Sequence, residues 1–141
     1  MHESLSNLTI GRDTNIYINY TRNYSTFIAS IQKDGSTNWE CSLDSTIGEN
    51  LYSINNLILA ENGDIIGAGS ISSVIDELGQ SGFLFRVDAF GNLKWKRAVR
   101  MNKGFDLTTQ PEFPFQSVLE DLKELSNGDL ISVGYVRKYV G

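Results

Sequence analysis

Residues 25–39, Ser-Thr-Phe-Ile-Ala-Ser-Ile-Gln-Lys-Asp-Gly-Ser-Thr-Asn-Trp, return fifty-six positions later as residues 81–95, Ser-Gly-Phe-Leu-Phe-Arg-Val-Asp-Ala-Phe-Gly-Asn-Leu-Lys-Trp. Such a recurrence marks a repeat architecture, in which one supersecondary unit cannot bury its own apolar face and relies on a neighbour. Inside each copy the side chains alternate with the period of a strand: Phe27/Ala29/Ile31 against Ile28/Ser30/Gln32, and Phe83/Phe85/Val87 against Leu84/Arg86/Asp88. The first set of each pair is the more apolar and is expected to face a neighbouring sheet. Trp39/Cys41/Leu43 and Leu93/Trp95 are expected to continue those faces, after turns at Gly35 and Gly91.

A second echo interleaves with the first. Residues 8–18, 57–67 and 122–132 each read as an apolar run, a polar turn and a second apolar run. Asn62-Gly63-Asp64 and Asn127-Gly128-Asp129 supply residues that tolerate positive φ, as tight hairpins demand. The first copy has Asp13-Thr14-Asn15 instead, a weaker version. Together the echoes predict an all-β chain of four-strand cycles, run through twice and then half-way through a third time. Strands are expected at 5–10, 16–21, 26–33, 37–43, 52–60, 64–71, 82–88, 92–99, 116–125 and 129–136. That makes a single repeat region of units 5–43 and 52–99 and a half unit 116–136. Residues 115–125 also fit a helical stripe, and the Asn-Gly-Asp turn that follows them favours the strand.

Composition agrees with a folded β chain. Of 141 residues 40% are hydrophobic, and seven Phe, six Tyr, two Trp and thirteen Gly stand against two Pro. A formal charge of −5 opposes binding to nucleic acid or to an anionic membrane surface. The local basic clusters, Lys94/Lys96/Arg97/Arg100 and Arg137/Lys138, read as solvated strand faces. One cysteine, Cys41, excludes an internal disulfide framework and a cysteine-based zinc site, and reads as a small buried hydrophobe. No stretch is long and apolar enough to span a membrane, and the N-terminus lacks the order of a signal peptide.

Candidate chemistry is sparse. The one histidine, His2, has no readable relation to Cys41, and no Gly-x-Ser-x-Gly elbow occurs. Asp76/Glu77, the adjacent acidic pair on a long link, reads as a solvated loop. Residues 34–38, 61–64 and 127–129 gather oxygen ligands around a Gly without the spacing of a calcium loop, so turn chemistry is the simpler reading. Gly67-Ala-Gly69 lacks the remaining glycine of a dinucleotide site and fits close strand packing. No cofactor and no metal is expected. Phe105, Phe113 and Phe115, in the long link from Asn102 to Phe115, are the candidate partner-binding residues.

The order of words, Phe-x-x-x-(Ile/Val)-x-x-x-Gly-x-x-x-Trp, a variable link, an apolar strand, Asn-Gly-Asp, two aliphatics and Gly, resembles the tandem β-propeller repeats of bacterial secreted and surface proteins. It is similar, more distantly, to the tryptophan-docking repeats of quinoprotein-type propellers. The resemblance implies a partial β-propeller of four-stranded antiparallel blades, two complete and one half, at the cell surface or outside the cell. It assigns Gly35 and Gly91 to the turn and Trp39 and Trp95 to a plug between blades, beside Gly63, Asp64, Gly128 and Asp129 as structural turn residues. Quinoprotein repeats usually read Ala-x-Asp-x-x-Thr-Gly-Lys before the Trp; here the turn is one residue shorter, and Gln32 stands where the other copy has Asp88. The function implied is non-enzymatic: a module for protein or carbohydrate binding or for display. Two alternatives stay open: the accessory propeller of an enzyme, and a lectin-like ring formed by self-assembly. A closed propeller needs about four to eight blades, so the expected partners are further blades, from a longer protein or from copies of the chain.

Overall fold

The computed structural model describes residues 3–11, 14–44, 50–73, 80–99 and 115–138. Ten strands form the regular structure: β1 (Glu3–Ile10), β2 (Ile16–Arg22), β3 (Ser25–Ile31), β4 (Thr37–Ser42), β5 (Asn50–Leu59), β6 (Ile65–Ser73), β7 (Gln80–Val87), β8 (Leu93–Val99), β9 (Phe115–Glu124) and β10 (Leu130–Lys138). Every predicted strand is present with ends shifted by two residues at most, and residues 115–124 are a strand rather than a helix. The strands pair with their sequence neighbours as antiparallel meanders, two sheets of four (β1–β4 and β5–β8) and a pair, β9–β10.

Hairpin chemistry fixes the registers. Five tips share one geometry, a three-residue loop closed by two backbone bonds: Ala60 N–H donates to Asp64 O and Gly63 N–H to Ala60 O, and the same pair recurs at Gly11/Asn15, Gln32/Ser36, Asp88/Asn92 and Leu125/Asp129. This bonding pattern, with a left-handed third loop residue, is that of the common three-residue hairpin. Glycine fills the left-handed position in four tips, with φ of 88–90° at Gly35, Gly63, Gly91 and Gly128, whereas the fifth holds Thr14 at φ 67°. A β-branched residue is strained there. The β2–β3 connection differs, a two-residue turn with Asn23 and Tyr24 both at positive φ.

Irregularities also repeat. The first strand of each sheet carries one extra residue, Ser6, Asn55 or Glu120, and the fourth strands carry Asn38 and Lys94 as the extra residue. The three sheets can therefore be superimposed position by position: Tyr17 matches Ile66 and Ile131, and Ser30 matches Arg86.

The sheets stack face on face. Tyr17, Ile28, Cys41 and Leu43 of the first sheet pack on Ile54, Leu57, Ile65, Phe83, Phe85 and Val87 of the second. The opposite face of the second sheet, with Ala60, Ile66 and Ala68, packs on Leu122 of the third, flanked by Leu84, Leu119 and Leu130. The first strands of successive sheets, β1, β5 and β9, approach one another.

This order corrects one expectation. Phe83, Phe85 and Val87 face the first sheet as predicted, but in the first sheet Ile28 and Ser30 face the neighbour. Phe27 lies on the other face, stacked on Tyr20 at a centroid distance of 5.4 Å. Trp39 pairs with Ser30 and so shares the Ile28 face, while a bulge puts Leu93 and Trp95 on opposite faces of β8. Periodicity identifies the two faces of a strand, but the neighbour decides which is covered.

The outer faces of the stack are open among the described residues. Leu8 is 56% exposed and its equivalent in the second sheet, Leu57, 6%. Ile131 and Val133 are 50% and 58% exposed, whereas Ile66 and Ala68 at the same positions are 0% exposed.

Candidate functional site

The predicted turn residues stand where the sequence places them. Asn62 Oδ1 accepts from Asp64 N–H and Asn127 Oδ1 from Asp129 N–H, each at 3.0 Å, so both triplets sit at hairpin tips. Asp34 Oδ1 accepts from the backbone N–H and the hydroxyl of Ser36, and those bonds hold its carboxyl below the ordinary range. Among the described residues no group of three or more His, Cys, Asp or Glu side chains could hold a metal ion. Cys41 is a buried free thiol, and burial raises its pKa. Phe85 lies across Gly67, whose missing Cβ would fall 2.1 Å from the ring, so that segment serves strand packing. Phe105, Phe113, His2, Asp76 and Glu77 lie outside the described residues. Phe115 does not lie in the link as expected: it opens β9, paired with Lys138, because the β9–β10 ladder extends to that residue.

The two tryptophans occupy matching registers in unlike surroundings. Trp39, half-buried, donates its indole N–H to Ala89 O of the second sheet at 3.1 Å. Its ring lies on Gly91, where a Cβ would come within 2.7 Å of Trp39 Cδ2. Gly91 is thus needed twice, for its φ and for the indole. Tyr17 flanks the same ring, with centroids 6.2 Å apart. Trp95 meets Arg97 of its own strand, the guanidinium carbon 5.6 Å from the ring centroid. No described residue stands to Trp95 as Ala89 stands to Trp39.

Beside these tryptophans the two sheet junctions diverge in chemistry. At the second, Asp64 Oδ2 accepts from Arg86 Nε at 2.6 Å and from Lys94 Nζ at 3.0 Å, and Arg86 Nη2 lies 3.8 Å from Glu124 of the third sheet. Burial opposes the charge of Asp64, but hydrogen bonds from Arg86, Lys94 and Asn62 outweigh it and leave the carboxyl below its ordinary value. The basic cluster is therefore not simply a solvated face: Lys94 joins this network, and Lys96 Nζ donates to Leu43 O at 2.8 Å.

At the first junction the equivalents of Asp64, Arg86 and Lys94 are Asn15, Ser30 and Asn38. Here a cleft of about 540 Å³ opens between the sheets. Gln32 Nε2 donates to Asn38 Oδ1 at 2.6 Å, and Asn38 Nδ2 to Ser30 Oγ at 3.2 Å and Asn15 Oδ1 at 3.4 Å. Tyr17, Trp39, Leu59, Ala60 and Ala89 form its apolar wall, and Glu61, Asn62 and Gly63 complete the lining. Sequence reasoning missed this cleft. The signal was available in the aligned repeats, where three charged residues of one copy face three small neutral ones of the other.

No family model and no curated protein matches the chain.

Proposed function

We propose that the chain is a propeller-repeat binding and display module whose outer faces are covered by equivalent sheets, from a longer chain or from further copies. One observation carries this reading. The front of the first sheet and the back of the third are the two halves of an interface already made twice inside the molecule, and residues buried at the inner copies are exposed at the outer ones. Covering each of Leu8, Ile10, Ile131 and Val133 is worth roughly 1 kcal/mol, and stacking of this kind is heterologous, front on back. The close approach of β1, β5 and β9 further supports a propeller-like fan, in which first strands gather near a common axis.

Sedimentation velocity on the purified chain tests this. We expect concentration-dependent association, monomers for Leu8→Glu alone and for Val133→Glu alone, and restored heterodimers when the two variants are mixed, since each keeps the face that the other lacks. A wild-type chain that stays monomeric at high concentration, or variants that fail to complement, would overturn the proposal.

A further inference from the structure

The cleft at the first junction has no counterpart at the same positions of the second, where a cleft of about 500 Å³ is lined instead by residues 58–61 and 122–126 with Ile10. There the ionic network of Asp64, Arg86, Lys94 and Glu124 fills the corresponding position with charges that neutralise one another. Here Asn15, Ser30 and Asn38 bring no charge of their own and leave it open. We propose that this cleft is a binding site for a neutral polyhydroxylated ligand, a sugar residue, which deepens the binding-module reading and rests on it.

Three features select that chemistry. The cleft volume of about 540 Å³ falls inside the range of small-molecule sites, about 300–1,000 Å³. Its polar lining is made mostly of amides and a hydroxyl, each able both to donate and to accept, as are the hydroxyl groups of a sugar. The chain of bonds from Gln32 through Asn38 to Ser30 and Asn15 holds those amides in place before any ligand arrives. The apolar wall, centred on Tyr17 and Trp39, suits the C–H face of a pyranose ring. Among the described residues of the lining an anionic ligand would meet no cation, and the carboxylate of Glu61 there repels it.

The test uses the Trp95→Phe chain, so that Trp39 is the one indole. Methyl glycosides of glucose, galactose, mannose and N-acetylglucosamine are titrated while the Trp39 indole N–H resonance and the fluorescence are followed. At least one glycoside should give saturable shifts, weakened about tenfold by Asn38→Ala. Copying the second junction into the first with Asn15→Asp, Ser30→Arg and Asn38→Lys should abolish the shifts while circular dichroism stays that of a β fold. No cleft response from any glycoside at tens of millimolar, equal binding by the triple variant, or a preference for glucuronate would overturn the proposal. Glycoside binding by a chain that stays monomeric would leave this site standing and sink the assembly reading; association without glycoside binding would do the reverse.

Discussion

The two junctions between sheets share one backbone register and are held by different forces. The first is held by aromatic bulk, with Phe83 and Phe85 in its core, Tyr52 packed against them and the Trp39 indole lying on Gly91. The second has a smaller buried core without aromatic rings, Ala60, Ile66, Ala68 and Leu122, with Ile58, Leu84, Leu119 and Leu130 packed around it. It is pinned by polar links: Asn55 Nδ2 to Leu119 O at 2.9 Å, Gly82 N–H to Ser117 Oγ at 2.7 Å, and the Asp64–Arg86–Glu124 ions. A repeat scaffold thus keeps its geometry from copy to copy while exchanging the chemistry that fills it. The first junction should resist acid, and the second should not.

The largest expected effect breaks the aromatic junction. Gly91→Val combines a β-branched residue at φ +90° with a clash against a rigid indole, and should cost about 4 kcal/mol in urea unfolding. At Gly35 an added Cβ meets nothing within 4 Å, so Gly35→Val should lose only the backbone share, about 2 kcal/mol. Equal losses would show that the indole contact contributes nothing.

Next is the pair of tryptophans. Trp39→Ala should cost about 3 kcal/mol, because packing and a hydrogen bond to the next sheet are lost together. Trp95→Ala should cost about 1 kcal/mol, the scale of an exposed cation–π contact and partial burial. Losses of the same size would mean that the second indole has a dock like the first.

At the ionic junction, Asp64→Asn should cost about 2 kcal/mol at neutral pH. That is less than a fully broken buried pair, because Glu124 still faces Arg86. The folded pKa of Asp64 lies below its ordinary 3.8, so its stabilisation is complete above that value and is lost as the pH falls through the folded pKa. Wild type and variant should therefore converge in stability as the pH is lowered below about 4. A gap that persists in acid would remove the ion pair as the cause.

The smallest change sharpens the turn argument. Thr14→Gly places the residue used at the other four tips and should stabilise the chain by about 1 kcal/mol. A loss on this substitution would show that Thr14 makes a contact worth more than its strain.

Much of this was legible in the sequence. Strand ends, hairpin tips and the four-strand cycle follow from local rules: alternation along Phe83–Val87 and positive φ at Gly63 and Gly128. Thr14 adopts the same turn without the glycine, because the flanking strands impose the geometry. The candidate site was less legible. Phe105, Phe113 and Phe115 drew attention as aromatics in a long link, whereas the cleft is built from Asn15, Ser30 and Asn38, which are ordinary singly and acquire meaning only when a second sheet stands opposite.

The sequence by itself determined the secondary structure, the turn types and the equivalence of the repeats, because these depend on φ preferences and on side-chain period within a few residues. Tertiary structure alone decided which face of each sheet is covered, which indole has a dock, and whether a given position holds an ion network or an open cleft. Burial and electrostatics depend on what another segment places across the gap. Identical local words therefore end in different environments.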